Sequence, residues 1–141
     1  MPTLIDELKR VPLFSDLSQR QLKRLARDFK EREYRSGTSM VRRGHMSGVD
    51  FFVIAEGEAS VTVDGTEIDR LGPGDHFGEV ALIGKQVRQA TVTADGPMRC
   101  LVMTSWDFRR FVKGNPDASW KLLQYLVRVL TDERNRGAKA S

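Results

Sequence analysis

From Tyr34 to Thr104 the sequence alternates with a period of two, and this run constrains the fold more than any other feature. "TSMVRRG", "DFFVIAEGEASVTVDG", "TEIDRLG", "ATVTA" and "MRCLVMT" are short β-rich segments separated by turns bearing Gly, Pro or Asp. Such alternation puts successive side chains on opposite faces of a strand. Many short strands at this spacing predict a jelly roll or small antiparallel barrel. Between "ASVTV" and "TEIDRL" stands Asp64-Gly65, a pair that favours the two-residue turn of a hairpin.

Helical patterns flank this middle. Residues 3–30 read as helical: Ser18 with Gln21 three residues later forms a capping box, and Leu22, Leu25, Ala26 and Phe29 share one face. After Thr104, "SWDFRRFVKGN" reads as a short helix closed by Gly114. Asn115 then caps, and Pro116 opens, a longer helix, "PDASWKLLQYLVRVLTDERN". That helix carries two apolar stripes, Trp120, Leu123, Val127 and Leu130 on one side and Leu122, Leu126 and Val129 on another. One stripe suffices to dock a helix on a domain. The first is expected to do so, with Trp106 and Trp120 as core anchors. The second is left to cover a ligand mouth or a partner helix, or to sink deeper into the domain. "RNRGAKAS" reads as a frayed polar tail.

A chain of 141 residues suits one domain, 1–141, divided into N-terminal helices (1–30), a jelly roll (31–104) and C-terminal helices (105–136). No apolar run approaches the ~20 residues of a membrane span. The start, "MPTLIDELKRVPLF", breaks any signal-like apolar core with charges. Cys100 is the one cysteine, which excludes an intrachain disulfide and a thiolate metal cage; it reads as a buried small hydrophobe. A cytoplasmic location and no membrane partner are expected. The net charge of +4 is unevenly spread. Between Gly48 and Thr104 the only bases are Arg70, Lys85, Arg88 and Arg99, against nine acids, and the flanks hold the remaining bases. Solvated charged faces explain this pattern, and DNA binding by this chain alone is not expected.

The stretch "FGEVALIGKQVRQATV", Phe77 to Val92, departs from the bland pattern of strands and turns. "EVALI" is long enough for about one helical turn, whose first N–H groups suit an anion. Gly78, lacking a Cβ, lets that anion approach. The Arg88 fork can take two phosphate oxygens at once. Glu79 can orient Arg88 and accept from a sugar hydroxyl. A bare ion pair between Glu79 and Arg88 is the plainer alternative. The small and apolar residues "GEVAL" and the surplus stripe on the last helix favour a pocket for a compact ribose phosphate.

The sequence resembles the cyclic nucleotide-binding domain family over nearly its whole length. "VPLFSDLSQRQLKRLA" is similar to that family's opening helices. "VRRGHMSGVDFFVIAEGEASVTV" is similar to its central strands, with the turn glycine at Gly57. "LGPGDHFGEVALIGKQVRQATV" is similar to its phosphate-binding cassette. The resemblance implies a mainly β fold with flanking α, a double-stranded β-helix jelly roll of eight strands with N-terminal helices and two C-terminal helices. It implies a cassette over 77–91, with Glu79 on the ribose 2′-OH and Arg88 on the cyclic phosphate. Backbone amides around Gly78, Glu79, Val80, Ala81 and Leu82 would complete the cradle, with Phe77, Gln89, Ala90 and Thr91 around it. Val61 and Leu71 would line the base and sugar. A residue among Leu122, Tyr125, Leu126 and Val129 would cap the base. Three features depart from the family pattern: Val87 stands where proline is frequent, Gln89 where a small residue is usual, and "GHMSGVD" lacks the usual early acidic residue.

His45 and His76 invite a rival, a metal-dependent cupin-like enzyme. No second histidine lies in either motif, so both are read as facing solvent, with no metal. Ser60, Thr62 and Thr91 have no adjacent base, and no catalysis is expected. The expected function is a stand-alone sensor of a 3′,5′-cyclic nucleotide, cAMP rather than cGMP by family frequency, with no cofactor. Its output would be an effector protein or a second copy, reached through the last helix. A ligand-free dimerisation scaffold, or one domain of a longer regulator, are the alternatives.

Overall fold

The computed structural model describes residues 3–41, 50–78 and 90–140. Helix α1 (Leu4–Lys9) is closed at its start by Thr3, whose hydroxyl accepts from the Asp6 amide while the Asp6 carboxylate accepts from the Thr3 amide. A 3-10 turn (Pro12–Phe14) follows, then α2 (Gln19–Ala26), where the expected capping box of Ser18 and Gln21 is present. The strands are β1 (Lys30–Tyr34), β2 (Ser39–Val41), β3 (Asp50–Glu56), β4 (Ala59–Val63), β5 (Thr66–Leu71), β6 (His76–Phe77), β7 (Thr91–Ala94) and β8 (Met98–Thr104). Helices α3 (Ser105–Gly114) and α4 (Pro116–Ala140) complete the order.

The strands form two four-stranded antiparallel sheets, ordered β1-β8-β3-β6 and β2-β7-β4-β5. Asp64 (φ 53°) and Gly65 (φ 79°) make the two-residue turn between β4 and β5, both in the left-handed region that such a turn requires. Two apolar clusters result. One lies between the sheets and includes Val41, Phe52, Ile54, Ala59, Phe77, Val92 and Cys100. The other joins the outer face of the first sheet to the helices through Phe14, Phe29, Phe51, Leu101, Phe108 and Leu122. Cys100 is fully buried, as expected, and burial pushes its thiol up to about 12.

The structure corrects five expectations. The strand β1, "KEREY", begins at Lys30, inside the segment read as helical, and α2 ends at Ala26. Its residues are exposed from Lys30 to Glu33, so it shows no apolar alternation; backbone pairing to β8 holds it at the sheet edge. The α4 stripes exchange roles. Leu122 is buried and Tyr125 and Leu126 pack on the helical cluster, whereas Trp120, Leu123, Val127 and Leu130 are more than half exposed. Trp106 and Trp120 are therefore not core anchors, at 73% and 64% exposure. An amphipathic pattern fixes the angle between two stripes but not which one turns inward, and here the Leu122 side is the one that joins the cluster of Phe108, Phe111 and Ala118. His76 does not face solvent, since its ring packs on Phe51 and Tyr125. Finally, α4 continues through Ala140, because "RNRGAKA" holds good helix formers and a single glycine.

Candidate functional site

The site is built around β6, a strand of two residues that the preceding turn delivers. In "GPGD", Gly74 takes φ 90°, the Asp75 carboxylate accepts from the Gly72 amide at 2.8 Å, and the Asp75 amide donates to the Gly72 carbonyl at 3.0 Å. Two further backbone bonds, Gly74 to Ile54 and Ile54 to Asp75, each 2.9 Å, pin the turn to β3. The strand then alternates. Phe77 turns into the space between the sheets and stacks on Phe52, with ring centroids 4.6 Å apart and planes 5° from parallel. His76 turns the other way, 5.4 Å from Phe51 and 4.7 Å from Tyr125 of α4, ring centroid to ring centroid.

Gly78 follows at φ 101°, a conformation L side chains rarely adopt, so glycine is required here for its backbone. Phe77, Val61 and Leu71 gather on the cluster between the sheets, Phe77 buried and the other two partly so. Val61 lies opposite Val92 and Leu71 opposite Ala59, on the same inner face. Thr91 lies opposite Thr62, and by strand alternation its side chain takes the outer face; Ala90, just before it, is partly buried. Glu79, Val80, Ala81, Leu82, Arg88 and Gln89, together with Val87 and His45, lie outside the described residues.

Beside β6 opens a cleft of about 630 Å³, between the 3-10 turn, the end of β5 and α4, lined by Leu13, Leu71, His76, Tyr125 and Arg128 among others. Its rim is polar. Lys121 of α4 pairs with Asp16 at 2.7 Å and donates to the Pro12 carbonyl and the Ser15 hydroxyl, tying α4 to the N-terminal segment. Arg70 pairs with Asp95 at 2.9 Å, Glu58 at 3.3 Å and Glu67 at 3.5 Å. These pairs are solvent-exposed, so they orient side chains more than they stabilise the fold. Among the described residues no group of His, Cys, Asp and Glu could hold a metal ion. No described helix is long and apolar enough to cross a membrane.

Of the four candidate base-capping residues, Tyr125 alone is described both touching β6 and lining this cleft. The sequence reading missed His76 as its contact. The signal was there in "GDHF", where a histidine one residue before a buried Phe must face the opposite layer.

The chain is a helix-flanked, two-sheet jelly roll whose interior and α4 meet at one short strand, an architecture that proteins of many functions share. The family is shown by similarity to known proteins. Residues 31–115 match the model described as "Cyclic nucleotide-binding domain", and the chain belongs to that family. It is 36% identical over 116 residues to the cGMP-dependent protein kinase isozyme 2, forms cD5/T2, of Drosophila melanogaster, covering 76% of this chain and 12% of that one. It is 36% identical over 107 residues to the cAMP-dependent protein kinase regulatory subunit of Yarrowia lipolytica, covering 74% and 28%. The chain thus spans between about an eighth and somewhat over a quarter of these relatives. A crystal structure of the Thermus thermophilus catabolite activator protein superposes with a TM-score of 0.79 at 25% identity, over 89% of this chain and 61% of that one.

Proposed function

We propose that this domain senses a 3′,5′-cyclic nucleotide held by the cassette over 77–91, and that α4 carries the response outward. In this reading Arg88 binds the cyclic phosphate and Glu79 the ribose 2′-OH. The backbone of Gly78 to Leu82 cradles the anion, Val61 and Leu71 line the sugar and base, and Tyr125 caps the base. The observation that carries the reading is β6. One residue, Phe77, belongs to the chamber and opens the cassette; the one before it, His76, is packed against α4 through Tyr125. A cassette that moves on capturing phosphate shifts both contacts at once, and the exposed stripe of Trp120, Leu123, Val127 and Leu130 offers the moved helix to a second copy or an effector.

Parallel calorimetric titrations with cAMP and cGMP test the reading and rank the two ligands, for which relatives of both dependences are named. Binding is expected for at least one nucleotide, lost in Arg88→Ala and weakened about tenfold, or ~1.4 kcal/mol, in Tyr125→Ala. Hydrogen exchange over 116–131 is expected to change on binding. If no nucleotide binds at millimolar concentration while Arg88→Ala only lowers the melting temperature, the cassette is structural and the ligand-free scaffold replaces the sensor.

A further inference from the structure

A second cleft, of about 440 Å³, lies between α2 and α3 and shares no lining residue with the cleft beside β6. Arg20 and Arg24 enter it from α2 and Arg110 from α3, over a floor that includes the buried side chains of Leu25 and Phe111. The single lining carboxylate is Asp28. Burial first, and Asp107 second, push its carboxyl above the usual range, and Arg110 is the cation that opposes them. Arg110 also pairs with Asp107 at 3.2 Å. Two other arginines among the described residues, Arg70 and Arg99, each meet three carboxylates. Arg20 and Arg24 meet none among the described residues, although they sit one helical turn apart and repel by a few tenths of a kcal/mol. From Gln19 to Arg27 the sequence has four bases and no acid. The cleft borders the positive first turn of α2 and the negative last turn of α3, whose partial charges of about half a unit cancel to first order. Three guanidinia against Asp28 and the Asp107 carboxylate paired with Arg110 therefore leave the cleft with a surplus of one positive charge.

We propose that this cleft docks an acidic peptide segment of a partner protein, one bearing carboxylates around an apolar side chain. The guanidinium forks of Arg24 and Arg110 suit carboxylates held bidentately. The Leu25 and Phe111 floor takes the apolar residue between them. A bare phosphate has no use for that floor. A nucleic-acid backbone reads an open basic ridge more readily than an apolar-bottomed recess.

The test uses the full chain and fluorescence anisotropy of a labelled, end-blocked Asp-Glu-Leu-Glu-Asp probe, with Asn-Gln-Leu-Gln-Asn as its uncharged counterpart. The acidic probe is expected to bind saturably and the amide probe not to. Arg24→Ala with Arg110→Ala should weaken binding at least about tenfold, with cyclic nucleotide titrations unchanged. Arg24→Gln with Arg110→Gln replaces the alanine pair if that pair lowers the melting temperature. No saturable binding, equal binding of the amide probe, displacement by equimolar inorganic phosphate, or tighter binding of a duplex oligonucleotide lost in the same variants would each overturn the proposal. None of these outcomes bears on the cassette, so the two readings fail separately.

Discussion

The Arg99 guanidinium of β8 grips the Glu7 carboxylate of α1 with both prongs, Nη2 to Oε2 at 2.6 Å and Nη1 to Oε1 at 3.2 Å. Glu7 is only 7% exposed and is the one charged residue among the described residues that is buried. Arg99 also reaches Glu31 of β1 and Glu56 at the end of β3, the latter at 3.1 Å. Hydrogen bonds donated to Glu7 first and Glu56 second hold the guanidinium even more firmly protonated than usual. One side chain thus joins the N-terminal helix to the edge strand and the centre of the first sheet.

Arg99→Met should lower unfolding free energy by about 3 kcal/mol, the low end for stranding one partner of a buried pair, because Glu31 and Glu56 are largely exposed. Glu7→Gln should cost less, since it keeps an acceptor for the fork. Urea unfolding of both variants and the double variant gives the coupling directly. A cost for Arg99→Met within error of zero would show the network to be surface decoration.

Cys100 should not react with a thiol reagent in the folded chain at pH 8 and should react fully in denaturant, because it is completely buried and burial pushes its thiol up to about 12. A folded-state value above the ordinary thiol value of 9.0 favours the protonated form in the native state. The contribution is therefore fully present below pH 9 and is lost progressively between about pH 9 and 12. Melting temperatures of wild type and Cys100→Ala, compared across that range, should converge as pH rises.

The two faces of α4 predict opposite outcomes from neighbouring residues. Leu122→Ala, at a buried position, should cost about 3 kcal/mol. Leu123→Ala, one residue on and 54% exposed, should stay within about 0.5 kcal/mol. Chemical denaturation of the pair distinguishes this placement from the reverse one.

Gly57 takes φ 93°, and a Cβ there would stand 2.6 Å from the Pro97 carbonyl oxygen. Gly57→Ala should lower stability by more than about 2 kcal/mol, since a backbone atom must move as well as a strained conformation be held. Gly65→Ala meets open space and should cost only about 1 kcal/mol of backbone strain. Thermal melts should therefore rank the two variants in that order.

Local chemistry made much of this fold readable. The Ser18–Gln21 box and the Asp64–Gly65 turn each follow from rules that involve only a few neighbouring residues, whereas the turn glycine at Gly57 is read from the family resemblance. What escaped depended on distant partners. "KEREY" becomes a strand because β8 supplies its hydrogen bonds, not because its side chains alternate. Trp120 reads as core by size, yet its position on α4 points away from the volume that Leu122 already occupies. His76 looked solvated until its strand register placed it opposite Val53 and against Tyr125. In the cassette, residue chemistry and the family resemblance point Gly78, Glu79 and Arg88 to one site, and the ligand roles of all three, like that of Phe77, await the titrations above.

Strands β3 and β8 are apolar on both sides: Phe51, Val53, Leu101 and Met103 meet the helices, and Phe52, Ile54, Cys100 and Val102 meet the opposite sheet. They act as a party wall between two rooms. Neither room can be emptied without taking down the plaster of the other, so heating should produce one sharp melt instead of a helical layer peeling off an intact barrel. Anything that braces the inner room should, for the same reason, keep the helices in place several degrees longer.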